Sequence, residues 1–114
     1  MPSPVRLLAA AAAMAAAAAW GQSADGRDLF TRPDKGNCIA CHQVPEGSGP
    51  AVRADVGPRL DAARLKGWDR KRLRGILDDP TRANPDSVMP PYGRHHLLEA
   101  REIERVIDFL HALP

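Results

Sequence analysis

The sequence predicts a small all-α domain with long irregular loops, and three observations support that prediction. Apolar residues recur at helical spacing in three segments of the chain. Glycine and proline, at 9 and 11 residues of 114, lie mainly between those segments and mark turns and loops. No segment has the alternation of apolar and polar residues that indicates a strand.

Three main helices are predicted in chain order. The first, about residues 25–31, must end before Pro33 because proline disfavours helical backbone at the preceding residue. The second, about residues 69–78, has Asp69 as its N-cap. The third, about residues 99–113, has an acidic first turn that suits the helix dipole. Its expected buried stripe comprises Ile103, Val106, Ile107, Leu110 and Leu113.

The first 22 residues have the features of a secretory signal peptide. Arg6 supplies a positive charge, and an uncharged, alanine-rich run of 14 residues follows from Leu7 to Trp20. That run is shorter than the roughly 20 residues of a membrane-spanning helix, so cleavage is favoured over the alternative of an uncleaved anchor. We expect residues 1–22 to be removed by a Sec-type pathway and residues 23–114 to form one periplasmic domain without a stable membrane anchor.

Residues 23–114 form a domain in which a hydrophobic core alone gives marginal stability. The chain has two cysteines, Cys38 and Cys41, which are too close in sequence to build a disulfide framework. A cofactor buried in the core would supply the missing stabilisation. The formal net charge of +2 indicates neither a nucleic-acid surface nor a polybasic membrane patch.

Cys38 and Cys41 belong to a C-x-x-C-H run that ends at His42. This run is typical of covalent haem attachment, in which two thiols add to the vinyl groups and the adjacent histidine ligates the iron. Zinc would need further thiolates or histidines, and a thioredoxin-like dithiol would need a β-α-β setting. A buried structural cysteine pair stays open as an alternative. We predict one haem c per chain, attached through Cys38 and Cys41, with His42 as the proximal axial ligand.

The distal axial ligand is predicted by elimination. Met1 and Met14 leave with the signal peptide, so Met89, 47 residues after His42, is the one thioether of the mature chain. It lies in a predicted loop over residues 80–96, next to consecutive prolines that stiffen the backbone. Ligation by histidine and methionine is typical of electron-transfer cytochromes. The alternative is that Met89 fills space in the core.

Further predictions concern the residues around the haem-attachment run. A proximal histidine usually donates its second ring proton to a carbonyl, and we expect Gly57 or Pro58 to supply it. Phe30 is expected to pack against Phe109 or Leu110 where the first and last helices cross. Trp68 and Tyr92 either line the pocket or pack elsewhere. The rival ligands His95, His96 and His111 are expected to be exposed. A solvated helix face is expected for the basic run of Arg64, Lys66, Arg70, Lys71, Arg72 and Arg74.

Five segments together resemble a known family. They are GNCIACH at 36–42, GPRL at 57–60, ILDDP at 76–80, NPDSVMPPYG at 84–93, and the helix from Glu102 to Leu113. The chain resembles the SoxX subunit of the sulfur-oxidation cytochrome SoxAX over most of residues 25–114. The first and fourth segments are the more discriminating, since the others occur in many monohaem cytochromes. One departure is Leu98, which stands where a helix-capping threonine or serine is expected.

The resemblance implies a class I cytochrome c-like fold and a heterodimer with a SoxA-like subunit. In such a complex, thiosulfate is joined oxidatively to a cysteine of a SoxYZ-like carrier, and this chain passes the electrons to a soluble cytochrome c. The chain would be a non-catalytic subunit of an L-cysteine S-thiosulfotransferase. Two alternatives stay open: a free-standing monohaem electron shuttle, and a haem-based ligand sensor, which the presence of Met89 disfavours.

Overall fold

The structure, a computed structural model, describes residues 25–114. Its three α-helices are α1 (Gly26–Thr31), α2 (Arg70–Asp78) and α3 (Ala100–His111). Two short 3-10 turns, Cys38–Ala40 and Pro80–Arg82, interrupt the long connections, and no strand is present in residues 25–114. The predicted all-α fold with three main helices is therefore confirmed.

The predicted signal peptide, residues 1–22, lies outside the described residues. Within residues 25–114 no helix is long and apolar enough to cross a membrane. The longest of them, α3, has 12 residues, against the roughly 20 that a bilayer requires.

Each helix begins one residue after its predicted start because the first residue of the predicted segment acts as the cap. The Asp25 carboxylate accepts from the Asp28 N–H at 2.8 Å, and the Asp69 carboxylate accepts from the Arg72 N–H at 2.8 Å. The helix α3 has a capping box, in which Glu99 and Glu102 accept from each other's backbone N–H groups. Local sequence therefore decides where all three helices begin.

The unusual Leu98 has a structural explanation. It is not the cap itself, since the cap is Glu99, and it lies one residue before it. Leu98 is buried together with Ile103 on the first turns of α3. An apolar residue before the cap and another at the fourth helical position form a hydrophobic staple, which fixes the angle at which the chain enters the helix.

The first and last helices cross closely. Gly26 lies against the backbone carbonyl of Arg105, and a Cβ at Gly26 would overlap it. The Phe30 and Phe109 rings have centroids 5.1 Å apart and tilt by 51°, as expected for the predicted crossing. The buried core formed around this crossing comprises Leu29, Phe30, Cys38, Val44, Leu65, Leu73, Leu77, Tyr92, Leu98, Ile103, Val106, Ile107, Leu110 and Leu113.

The helix α2 is joined to α3 by ion pairs as well as by apolar packing. Arg70 and Arg74 both contact the Glu104 carboxylate, and Arg70 also pairs with Asp108. Part of the predicted solvated basic face therefore holds two helices together. The segments between the helices fold over the remaining side of the core and enclose a cavity.

Candidate functional site

A cavity of about 570 Å³ lies where three separate stretches of chain meet. Residues 35–42, residues 56–58 and residues 84–97 supply its walls. The sequence-predicted site residues all line this one cavity: Cys38, Cys41, His42, Pro58 and Met89. Folding thus brings together residues that are up to 51 positions apart in the chain, from Cys38 to Met89.

The C-x-x-C-H run forms a tight turn at the wall of the cavity. Asn37 adopts a left-handed conformation with φ of 47°, and the 3-10 turn that follows brings the Cys41 and His42 N–H groups onto the Cys38 carbonyl at 3.1 and 2.9 Å. Cys38 is buried and Cys41 is half-buried. Burial raises the pKa of the Cys38 thiol to about 12, opposed in part by a hydrogen bond with Tyr92. The turn therefore presents both thiols and the imidazole within five residues.

The His42 ring is buried and has a defined hydrogen bond. Its Nδ1 lies 2.6 Å from the Pro58 carbonyl oxygen, in the position that the order of the motifs suggested. A carbonyl only accepts, so Nδ1 carries the proton and Nε2 keeps its lone pair. A fixed tautomer of this kind is what a metal-ligating histidine requires.

The segment that carries Pro58 is itself fixed by backbone hydrogen bonds. The Gly57 N–H donates to the Cys41 carbonyl at 2.8 Å, and the Leu60 N–H donates to the Gln43 carbonyl at 2.9 Å. A Cβ at Gly57 would lie closer than 3.0 Å to three atoms of the His42 ring. A residue without a side chain is therefore needed here for the imidazole to lie flat against the backbone.

Met89 approaches the cavity from a different segment. It is half-buried and packs against the core, and its N–H donates to the Ser87 hydroxyl at 3.3 Å. Three residues later, Tyr92 is buried, and its hydroxyl donates to the Gly36 carbonyl at 2.5 Å. Burial raises the pKa of Tyr92, with the neighbouring Cys38 and Cys41 contributing. Tyr92 thus joins the Met89 segment to the segment just before the cysteines.

The rival ligands do not line the cavity. His95 and His96 are exposed, as expected. His111 is also exposed, and its Nε2 lies 2.9 Å from the Trp68 carbonyl oxygen at the far end of α3. Met89 is therefore the one thioether or imidazole at the cavity besides His42 among residues 25–114.

The sequence left open whether Trp68 and Tyr92 line the pocket, and the structure shows that they differ in this respect. Tyr92 forms part of the cavity wall, whereas Trp68 does not. The Trp68 ring lies 3.6 Å below the Arg72 guanidinium, a cation–π contact on the outer side of α2.

Two contacts of the site were missed at the level of sequence. The close approach of Gly57 to His42 was signalled only by a glycine before Pro58, and the Tyr92 hydroxyl bond to Gly36 had no local signal. Their partners lie 15 and 56 residues away along the chain. Contacts at such separation follow from tertiary structure and not from local patterns.

Comparison with known proteins places this cavity in context. The sequence profile of the family described as Cytochrome c matches residues 23–114. A curated relative, an uncharacterized lipoprotein of Aquifex aeolicus (strain VF5), is 35% identical over 79 residues. That match covers 68% of this chain but 36% of the relative, so the chain spans about a third of the relative's length.

A solved structure is also similar. The crystal structure of SoxXA from P. pantotrophus superimposes with a TM-score of 0.63 at 27% sequence identity. The match covers 81% of this chain and 83% of the compared chain. The shared fold therefore extends over about four fifths of each chain.

Proposed function

The chain belongs to the cytochrome c family, and from this premise we propose that it is the electron-transfer subunit of a SoxAX-type thiosulfate-oxidising complex. Family membership makes it a haem electron-transfer cytochrome with one covalently bound haem c. The similarity to SoxXA from P. pantotrophus supports the finer assignment. The SoxX-like runs at 36–42 and 84–93 are the same segments that form the cavity walls.

The residues of the cavity fit a haem c. Two thiols, one imidazole with a free Nε2 and one thioether face a single space of about 570 Å³. The large apolar side chains that are exposed among the described residues, Val56, Val88 and Leu97, all lie on the walls of this cavity. Exposed apolar groups that cluster in one concave place indicate a buried apolar ligand. Cys38 and Cys41 would hold the group covalently, with His42 and Met89 as its axial ligands.

The bound haem supplies one-electron exchange between ferric and ferrous iron. The chain's own contribution is to hold the two ligands. The Pro58 carbonyl holds the proton on His42 Nδ1 and leaves Nε2 available for the metal. The Tyr92 hydroxyl bonds the Met89 segment to Gly36, and the apolar side chains of the walls would pack against the macrocycle. A soft thioether favours ferrous iron, so this ligand pair suits an acceptor of electrons.

The sulfur chemistry is assigned to other subunits. Joining thiosulfate to a carrier cysteine forms a sulfur–sulfur bond and releases two electrons, which this chain would take one at a time. Its two cysteines are both in the haem-attachment run, so no thiol is left to hold sulfur. The expected partners are a SoxA-like cytochrome, a SoxYZ-like carrier and a soluble cytochrome c as acceptor.

An exported location agrees with this role. Proteins with haem c are exported, and so are lipoproteins. The family of this chain binds haem c, and its Aquifex aeolicus relative is described as a lipoprotein. The proposed periplasmic location further requires the signal peptide predicted over residues 1–22, which N-terminal sequencing of the mature protein would test.

Two measurements test the proposal. A tagged holo-protein drawn from the native periplasm is expected to bring a SoxA-like cytochrome with it, whereas recovery of a lone monomer would support the free-standing shuttle. The ferric spectrum of the same protein is expected to show the near-infrared band of thioether-to-iron charge transfer, and Met89→Ala is expected to abolish it. A band that survives the substitution would exclude Met89 as ligand.

A further inference from the structure

Two polar side chains are buried among residues 25–114, His42 and Asp79. His42 has a role in the cavity. Asp79 is 3% exposed and is not part of the cavity wall, so the haem site does not account for it. Burying a carboxylate is unfavourable unless charged and hydrogen-bonding partners compensate, so its position calls for an explanation.

Both oxygens of the Asp79 carboxylate have partners. One accepts from the Thr81 hydroxyl at 2.5 Å and from the Thr81 N–H at 3.1 Å. The other accepts from the Arg94 guanidinium at 3.1 Å, with Arg82 more distant at 3.7 Å. The hydrogen bond from the Thr81 hydroxyl is the main cause that lowers the pKa of Asp79, and burial opposes it. Asp79 is therefore an ionised group with a full set of donors.

The location of this ion pair along the chain is informative. Residues 80–93, here called the Met89 loop, leave α2 immediately after Asp79 and return immediately before Arg94. At the same place the Gly93 N–H donates to the Leu77 carbonyl at 3.2 Å, and the Arg94 N–H donates to the Asp78 carbonyl at 3.0 Å. These contacts close the base of the loop, as in a compact surface loop whose ends meet.

We propose that Asp79 is a positioning residue for Met89, acting through Arg94. The ion pair closes the base of the Met89 loop, and the closed base fixes the path on which the thioether reaches the cavity. This inference rests on the proposed function, because it takes Met89 as the distal ligand. Near Met89 itself the constraints are few: Val88 is 82% exposed, and the N–H of Met89 has one bond of 3.3 Å within the loop. Apart from the packing of the Met89 side chain against the core, support must therefore come from Tyr92 and from the base of the loop.

The test measures how readily an added ligand replaces the thioether in ferric holo-protein. Displacement of Met89 by imidazole requires the loop to open, so its rate reports on the loop while the haem stays attached through the cysteines. The Asp79 carboxylate is buried and the Arg94 side chain is 61% exposed, so the bond between them is part-buried. Breaking this charge-assisted hydrogen bond is expected to raise the displacement rate by about tenfold in both Asp79→Asn and Arg94→Gln. Arg94→Lys, which keeps the charge, is expected to recover part of the wild-type behaviour.

A matched control is available because a second arginine, Arg82, faces the same carboxylate. Arg82 also faces Asp79, but from inside the Met89 loop, at 3.7 Å and 74% exposed. Arg82→Gln is therefore expected to leave the displacement rate within about twofold of wild type. Because Asp79 also caps the 3-10 turn through Thr81, Arg94→Gln serves as the informative variant if Asp79→Asn does not accumulate.

The measured rates and spectra distinguish a failure of the Asp79 positioning role from a failure of the proposed function. Unchanged displacement rates in Asp79→Asn and Arg94→Gln, with only a lower melting temperature, would overturn the positioning role and leave Met89 ligation intact. A near-infrared band that persists in Met89→Ala would overturn both. Faster displacement in the two base variants and not in Arg82→Gln would support the inference.

Discussion

His42 and Met89 both line one cavity, and the chain holds them in different ways. His42 is buried, lies in a tight turn with both cysteines, and is bonded to Pro58 in a segment that two backbone hydrogen bonds join to residues 41–43. Met89 is half-buried in a loop whose regular structure is limited to the 3-10 turn Pro80–Arg82. The contacts proposed to support it, Tyr92 and the Asp79–Arg94 pair, lie three or more residues away.

Because of this difference, the His42 side and the Met89 side of the cavity should respond differently to mutation. On the His42 side, support is direct, so one substitution against the ring acts on the ligand itself. On the Met89 side, support is distributed over several contacts, so each substitution should have a partial effect on ligand exchange. Loops with few buried contacts open most easily, and ligand exchange should therefore begin on the Met89 side.

The largest effect is expected from Gly57→Ala, which would break the direct support of His42. The new methyl group would lie closer than 3.0 Å to three ring atoms, so either the imidazole or the Pro58 carbonyl must move. Overpacking of this kind costs about 1–3 kcal/mol of unfolding free energy. Denaturant unfolding of the holo-protein, with the yield of attached haem, measures the loss.

Gly75→Ala is the matched control for that substitution. Gly75 is in α2 with no heavy atom near the position of a new Cβ, so alanine is expected to stabilise the protein by about 0.5–1 kcal/mol through its better helix propensity. Equal stability of Gly57→Ala and wild type would show that the segment around His42 accommodates the methyl group. The proposed contrast between the support of His42 and that of Met89 would then not hold.

Tyr92→Phe should have an intermediate effect, on the Met89 side of the cavity. The substitution removes the hydroxyl bond to Gly36 and keeps the ring in the cavity wall. We expect a loss of about 0.5–1.5 kcal/mol in unfolding free energy and faster replacement of Met89 by imidazole, with haem attachment unchanged. If ligand replacement keeps its wild-type rate, Tyr92 stabilises the fold without supporting the Met89 side.

The smallest effect is expected at Glu104, which is remote from both ligands. Its bonds to Arg74 and Arg70 lower its pKa from the ordinary 4.5 to about 2. A carboxylate with a lowered pKa stabilises the fold above its ordinary pKa, and this contribution is lost as pH falls from there through the folded pKa. Since the side chain is 35% exposed, the contribution is at most about 1 kcal/mol.

Glu104→Gln should therefore lower stability slightly near neutral pH and have little effect near pH 2. Thermal unfolding at the two pH values measures this difference, with Glu46→Gln in the exposed loop after His42 as control. The near-infrared band and imidazole replacement should match wild type. A change in either measurement would mean that the contact between α2 and α3 affects the His42 or Met89 side of the cavity.

Much of the fold was predictable because its signals are local. Asp25 and Asp69 cap their helices by accepting from the N–H group three residues later in the chain. The buried apolar stripe of α3 follows from helical periodicity. Trp68 could not be placed from sequence, because its contact with Arg72 depends on which side of the indole faces the core. No local pattern predicts the burial of Asp79, because its bond to Arg94 forms only where the Met89 loop returns to α2.

Sequence alone was enough to predict the three helices, the C-x-x-C-H turn and Met89 as candidate ligand. Caps, periodicity and motif spacing act over a few residues, and Met89 is the one methionine of residues 23–114. Tertiary structure decided which carbonyl holds His42, why residue 57 must lack a side chain, and how Tyr92 and Asp79 hold the Met89 loop. Those contacts join residues 15 to 56 positions apart, and only burial of a common core brings such residues within hydrogen-bonding distance.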